Sequence, residues 1–266
     1  MGLTTFSSTS TLGIVRVLGR WMVAASPVLT VGAFPVGFTF LSWTFIAIGV
    51  VCAVGVAVDV ARRPQPMAVM NVVWPMTMLF GGLAWLLFYR RTARAALRGL
   101  SQDERGSSMA VSVATGTSHC GAGCAIGDLV AEFALVAFPV IGVVVGRGTL
   151  YDDEIFAGWI IDFVLAFALG IVFQYFSIAP MRGLGLRAGI VAALKADALS
   201  ISAWQVGMYG VMALAQFLVL PSLFGGRADV VSPEFWFVMQ IAMLAGFATS
   251  YPVNWFLIRS GVKEAM

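Results

Sequence analysis

The sequence predicts an all-α fold, a polytopic membrane bundle of six transmembrane helices, with seven as the alternative. Apolar residues make up 60% of the 266 residues and charged residues only 11%, whereas a typical soluble domain has about 25% charged residues. Four stretches lack Asp, Glu, Lys, Arg and His altogether, namely 21–58, 64–89, 198–226 and 235–258. Each exceeds the roughly 20 residues that a helix needs to cross the hydrocarbon core.

Two further apolar stretches can cross the membrane if each accepts one embedded acid. All spans are expected to be helical, because an unpaired backbone group in lipid costs several kcal/mol. We therefore expect spans near 39–60, 68–89, 124–146, 155–178, 199–221 and 235–258.

Basic residues between the spans predict the orientation. The loops after the second and fourth spans and the C-terminal tail together carry ten Lys and Arg residues, and the opposite side carries four, Arg62, Arg63, Arg147 and Arg227. Because short cytoplasmic loops are enriched in Lys and Arg, we expect a multi-pass protein of the cell membrane with a cytoplasmic C-terminus. No Lys/Arg stripe interleaved with aromatics is present, so no nucleic-acid partner is expected.

The N-terminal part is assigned separately, as residues 1–38, and the six-helix membrane domain as 39–266. Residues 21–37 are apolar but are interrupted by Pro27 and Pro35. A seventh span, an interfacial segment and an uncleaved signal anchor all fit this pattern.

The segment HCGAGCAIGD, residues 119–128, holds the only histidine and two of the three cysteines. As one helix, residues 109–146 would be about 57 Å long, nearly twice the membrane thickness. We therefore expect the small residues before Gly123 to form a loop or re-entrant segment, with the spanning helix beginning near Gly123 or Cys124. A helix N-terminus at this point would favour a thiolate.

His119, Cys120 and Cys124 are predicted to bind a soft metal ion, Cu(I) or Zn(II), because thiolates and imidazole are suitable ligands for both. A closed zinc site is not expected, since the remaining cysteine, Cys52, lies in the first span. Methionine from another helix would complete a Cu(I) site. Close helix packing and catalytic thiol chemistry are the alternatives.

If the helix extends back to Cys120, then Cys120, Cys124, Asp128 and Glu132 form one stripe at four-residue spacing. Ionisable groups inside a membrane are costly and usually functional. Asp128, Glu132 and Asp162 are therefore predicted to form an intramembrane polar path. Neutral carboxylic acids that hydrogen-bond between helices are the alternative.

Three further features complete the set of candidates. Met239 and Met243, one helical turn apart, could relay Cu(I), although methionine is also a common packing residue. Lys195 and Asp197 are expected at the start of the fifth span, in a snorkelling or surface ion-pair role. Pro75 and Pro252 are expected to kink their helices.

Several catalytic signatures are missing. The chain has no H-E-x-x-H, P-loop, G-x-S-x-G or G-x-G-x-x-G motif. A single histidine cannot supply bis-His haem ligation. These absences favour a protein that is not an enzyme.

Five segments resemble a bacterial family of polytopic membrane proteins that is defined by a domain of unknown function. They are MNVVWP, GTSHCGAGCAIGD, FQYFSIAPMR, KADALSISAWQVGMYGVMA and the C-terminal segment that contains YPVNW. The resemblance as a whole extends over residues 40–266. It implies a membrane architecture, in the inner membrane of a bacterium, and no particular activity.

The leading functional hypothesis is a Cu(I)-like soft-metal transporter or an accessory metallochaperone. One alternative is a membrane oxidoreductase that uses a thiol pair or a bound redox centre, and another is a structural subunit of a membrane complex. The expected partners are membrane lipid, a metal ion, and either other subunits or further copies of the chain.

Overall fold

A computed structural model describes residues 26–97, 108–151 and 153–263. The elements are two short strands, β1 and β2, and helices α1 to α8 with one π-helical turn. In chain order they are β1 (Val28–Leu29), α1 (Val36–Arg62), α2 (Met70–Leu97), α3 (Met109–Ala137), α4 (Val140–Val144), α5 (Glu154–Arg182), α6 (Leu186–Leu214), the π-helical turn (Ala215–Val219), α7 (Leu220–Phe224), β2 (Arg227–Ala228) and α8 (Pro233–Arg259).

Six helices of the described chain are long and apolar enough to cross a membrane, which confirms the predicted all-α bundle. The outside of the bundle is rich in exposed apolar side chains, including Val36, Phe40, Val144 and Val206. Such a surface is compatible with lipid and not with water. The protein is therefore a multi-pass membrane protein.

The third span differs from its prediction. The helix α3 begins at Met109, where the Ser108 side chain accepts a hydrogen bond from the Val111 amide, and ends at Ala137 just before Pro139. Most of its small residues are buried by neighbouring helices. The expected loop or re-entrant segment is wrong, because a helix enclosed by protein needs no bulky apolar side chains.

The fifth span also begins earlier than predicted. The helix α6 begins at Leu186, not at residue 199, and the chain continues through the π-helical turn into α7. In the π-helical turn, the Gln216 side chain exchanges two hydrogen bonds with the backbone of Ala228 in β2. The turn therefore anchors the loop that precedes α8.

The only non-helical backbone inside a long described helix is at Gly82 in α2, with φ 49° and ψ −132°. Glycine adopts this conformation without steric cost. Nearby, the Leu79 carbonyl accepts a hydrogen bond of 2.6 Å from Gln240 of α8. The Trp74 and Tyr89 rings, on the two sides of Gly82, lie only 5.4 Å apart, whereas 15 residues of one continuous helix would separate them by about 22 Å. The chain therefore reverses direction at Gly82, and α2 consists of two helical segments that pack against each other. Both Pro75 and Pro252 lie within their helices.

Residues 26–35 form no helix, and β1 pairs with β2 in parallel. The rest of the N-terminal segment, residues 1–25, lies outside the described residues.

The ends of the bundle differ in charge. The basic end carries Arg182, Arg187, Arg259 and Lys263, and the mixed-charge end carries β1, β2, Arg147, Asp153, Glu154, Arg227 and Glu234. Ion pairs at the mixed-charge end join Arg147 to Glu154 and Arg227 to Asp153.

Asp59, near the end of α1, pairs with Arg94, while Thr39, near the start of α1, contacts Glu234 at the mixed-charge end. Arg62 and Arg63 therefore lie at the basic end, and their predicted position on the opposite side is wrong.

Candidate functional site

The helix α3 carries a line of polar side chains through the middle of the bundle. Cys120, Cys124, Asp128 and Glu132 are all buried, at successive four-residue intervals. Successive members are about 6 Å apart along the helix axis. The conditional prediction of one stripe is therefore confirmed, and we call these four residues the α3 polar file.

Cys120 lies eleven residues after Met109, so it is in the interior of α3 and not at its N-terminus. The expected stabilisation of a thiolate by a helix N-terminus therefore does not apply. The thiol donates instead to Asp197 Oδ1 at 2.8 Å and lies 3.2 Å from Ser200 Oγ. Both partners belong to α6.

Lys263, just after α8, reaches back into the bundle beside Cys120. Its Nζ lies 2.7 Å from Asp197 Oδ1 and 3.2 Å from Cys120 Sγ, and the Lys263 and Asp197 side chains are fully buried. Burial alone would lower the pKa of Lys263, but the neighbouring Asp197 and Cys120 outweigh it and raise that pKa. A surface role for Asp197 is wrong, since it pairs with Lys263 inside the protein.

The segment YPVNW of α8 contributes to the same network. The Asn254 side chain donates to Ser200 Oγ at 2.6 Å and to Ser250 Oγ at 3.0 Å. Because Ser200 in turn contacts Cys120, hydrogen bonds connect YPVNW to HCGAGC across α6. Two of the segments that carry the family resemblance thus meet in space.

His119 is fully buried and faces α5, where its ring lies edge-on to Phe173 with the ring centroids 5.9 Å apart. Neither ring nitrogen has a well-aligned hydrogen bond in the described part of the chain, although the Phe173 backbone lies near enough for a weak one. The described residues contain no group of three His, Cys, Asp or Glu side chains placed to hold a metal ion. Metal binding by His119, Cys120 and Cys124 stays a prediction.

Cys124 and the methionines of the predicted relay share one buried cluster. Besides Cys124, the cluster contains Met208, Met212, Met239 and Met243. Packing of this kind fits both a soft-metal route and an ordinary apolar core.

Asp128, Glu132 and Asp162 lie close enough for their charges to interact, and all three are buried. In the described chain no Lys, Arg or His pairs with any of them, and no oxygen of Asp128 or Asp162 has a hydrogen-bond partner. The alternative that these are neutral acids hydrogen-bonded between helices is therefore not supported for the two aspartates.

Small residues bring α3 and α5 together around these acids. A Cβ atom on Gly127 would lie 2.8 Å from the Ala166 backbone nitrogen, and one on Gly158 would lie 3.0 Å from a Glu132 carboxyl oxygen. The two helices therefore approach closely, as small-residue interfaces in membranes do. We call Asp128, Glu132 and Asp162 the carboxyl cluster.

A cavity of about 550 Å³ opens at the mixed-charge end and reaches the carboxyl cluster. Its lining includes Glu132, Arg147, Glu154 and Arg227, so its wall carries both signs of charge among apolar side chains, and we call it the polar cavity. Glu132 thus connects the polar interior of the bundle to this cavity.

Sequence reasoning missed Lys263, Ser200 and Asn254 as parts of the site and misplaced Asp197. Lys263 and Asp197 are 66 residues apart in the chain, and no local spacing predicts such a contact. The signal that could have identified Asp197 is its position inside a helix that extends to Leu186.

The sequence matches the family described as Domain of unknown function (DUF4396) over residues 111–263, which is more than half of the chain. The protein belongs to the DUF4396 family. The DUF4396 match begins within α3, ends at Lys263, and so includes the α3 polar file, the carboxyl cluster and the Lys263 network. The helices α1 and α2 lie outside it. No curated protein and no solved structure matches the chain.

Proposed function

We propose that this protein is a membrane transporter that moves a cation through the interior of its helix bundle. The observation that carries the proposal is the carboxyl cluster, which is buried within the spans and has no cationic side chain as a partner in the described chain. A buried carboxylate is stable only if it is protonated or bound to a cation. A site that alternates between these two states is the minimum requirement for cation exchange.

The route follows the α3 polar file. At the mixed-charge end, Glu132 meets the polar cavity, where a hydrated cation or a proton can arrive. From there the path leads past Asp128 and Asp162 to Cys124 and Cys120. By the positive-inside rule the basic end faces the cytoplasm.

The Lys263–Asp197 pair closes the route at the basic end. A lysine ammonium beside Cys120 repels a second cation at short range. Passage toward this end therefore requires Lys263 to withdraw from Asp197, which makes the residues that follow α8 the gate of the route.

Charge movement in proteoliposomes on a solid-supported membrane tests this function. Wild-type protein is expected to give a transient current on a jump in the concentration of at least one of H⁺, Na⁺, K⁺, Cu(I) or a hydrophobic organic amine. The Asp162→Asn variant is expected to lose it, and Lys195→Gln, at an exposed position of α6 outside the route, to keep it. Absence of current for every cation, or full current in Asp162→Asn, would contradict the proposal.

Cu(I) is the second candidate for the transported ion, since Cys124 belongs to the same buried cluster as Met239 and Met243 and lies near Asp128 and Asp162. Competition with a chromophoric Cu(I) chelator measures this binding. Cys124→Ser and Met239→Leu should weaken it at least tenfold, and Cys52→Ser should not. Equal binding by all three variants would exclude this route.

A further inference from the structure

A second cavity, of about 390 Å³, lies between α1, α2, α3 and α8 and differs from the polar one. Its wall is largely apolar and includes four aromatic side chains, Trp43, Phe80, Phe133 and Trp236. Trp43 and Phe133 are also more than half exposed on the outside of the bundle. A ligand can therefore reach this cavity from the lipid.

The cavity wall contains one acid, Asp128, and one amide, Gln240, and no Lys, Arg or His. Asp128 is only 1% exposed and both its carboxyl oxygens lack a hydrogen-bond partner. The Gln240 amide nitrogen is bonded to the Leu79 carbonyl, which leaves Gln240 Oε1 without a partner. The buried side-chain atoms of the wall that lack a partner are therefore all oxygens, on Asp128 and Gln240.

We infer that this cavity binds a hydrophobic organic cation that carries an N–H group, such as a protonated arylalkyl amine. The ammonium would donate a hydrogen bond to Asp128. Its positive charge would also be attracted to the carboxylate and to the electron-rich faces of the surrounding aromatic rings. The apolar part of the ligand would fill the space among the aromatic side chains, and the volume is that of an ordinary small-molecule site.

A hydrophobic organic cation is a specific substrate class for the proposed transport. Binding of this cation does not depend on the proposed function, and only its movement after binding rests on it. Asp128 lines the apolar cavity, and Glu132, one helical turn along α3, lines the polar one. A cation that binds at Asp128 displaces its proton, and Glu132 offers that proton a way to the mixed-charge end. The ligand and the proton thus use different openings.

Equilibrium binding to the full chain in lipid nanodiscs tests the site, with empty nanodiscs to subtract partition into lipid. The probe is 1-naphthylmethylamine, which is protonated at neutral pH, and its uncharged analogue is 1-naphthylmethanol. Wild-type protein is expected to bind the amine at least tenfold more tightly than the alcohol. Asp128→Asn should reduce amine affinity at least tenfold, Trp43→Ala severalfold, and Lys195→Gln, at an exposed position of α6, not at all.

Equal affinity for the amine and the alcohol would overturn the inference and identify the cavity as a site for an acyl chain or another neutral group. Unchanged amine affinity in both Asp128→Asn and Trp43→Ala would also overturn it. Because Trp43 lies at the exposed rim, its variant remains informative if Asp128→Asn fails to fold. Amine binding without charge movement would contradict the proposed transport alone, and charge movement by other cations without amine binding would contradict this inference alone.

Discussion

Lys263 Nζ lies 2.7 Å from Asp197 Oδ1 in a position where neither side chain has any exposed surface. The contact joins the residue that follows α8 to the interior of α6, next to Cys120 of α3. Burial of two charges costs several kcal/mol per ion unless they pair well. Burying this pair therefore costs free energy. Because it lies at the basic end of the α3 polar file, we assign it the gating role in the proposed transport.

Removing the lysine charge should destabilise the protein strongly. Lys263→Met leaves the Asp197 carboxylate buried without a cation, and we expect a loss of about 3–5 kcal/mol in the free energy of unfolding. The double variant Lys263→Met/Asp197→Asn should recover most of this loss. Denaturation in mixed micelles measures both values.

The matched control is Lys195→Met, because Lys195 is an exposed lysine of α6. This substitution should change the free energy of unfolding by no more than about 0.5 kcal/mol. If Lys263→Met were as mild as this control, the buried pair would not exist in the folded protein.

The contribution of the pair should not depend on pH near neutrality. The pKa of Lys263 is raised in the folded protein, so the stability it confers is complete below the unfolded lysine pKa of about 10.4 and is lost only as pH rises through the folded pKa. The difference in unfolding free energy between wild type and the double variant Lys263→Met/Asp197→Asn, which has no ionisable group at either position, should therefore be constant between about pH 6 and 9. A steady decline across that range would show that the lysine loses its proton there.

The close approach of α3 to α5 should make Gly127 sensitive to a single methyl group. In Gly127→Ala the new Cβ would meet the Ala166 backbone, which cannot rotate away, and overpacking of this kind costs about 1–3 kcal/mol. Gly210→Ala is the control, since a Cβ at that position meets no atom within 4 Å. Thermal unfolding should give a lower midpoint for the first variant and an equal or higher one for the second. If Gly127→Ala unfolded at the same temperature as Gly210→Ala, the helices α3 and α5 would be further apart than the structure places them.

The buried thiols should resist alkylation. Cys120 and Cys124 have no exposed surface, and neither forms a disulfide. N-ethylmaleimide should therefore label them at least a hundredfold more slowly in the folded protein than in the denatured protein, as measured by mass spectrometry. Rapid labelling of either thiol under native conditions would favour the oxidoreductase hypothesis, which requires an accessible thiol.

Hydropathy predicts most of the bundle, because an uncharged run of more than 20 residues has few alternatives to a membrane helix. It fails for α3, where the small residues before Cys120 look unsuited to lipid. They are in fact covered by protein, and hydropathy does not distinguish lipid from protein as the surroundings of a helix. The same limitation applies to the first part of α6, around Asp197.

The site was predictable only where it lies on one helix. Cys120, Cys124, Asp128 and Glu132 follow the helical repeat, so their common line could be derived from spacing alone. How Asp162 and Lys263 approach that line, and how Asn254 reaches it through Ser200, depends on how separate helices pack. No local pattern encodes this packing, and the α3–α5 glycine contacts become visible only in three dimensions.

Infrared spectroscopy of the carboxyl groups tests the central claim most directly. In the absence of a bound cation, the carboxyl cluster should carry protons, and wild-type protein in nanodiscs should show carboxylic acid C=O absorption at neutral pH that changes after a pH jump. In the triple variant Asp128→Asn/Glu132→Gln/Asp162→Asn this absorption should disappear. Absorption that persists in the triple variant, or its absence from wild type, would contradict a proton- and cation-exchanging cluster inside the membrane.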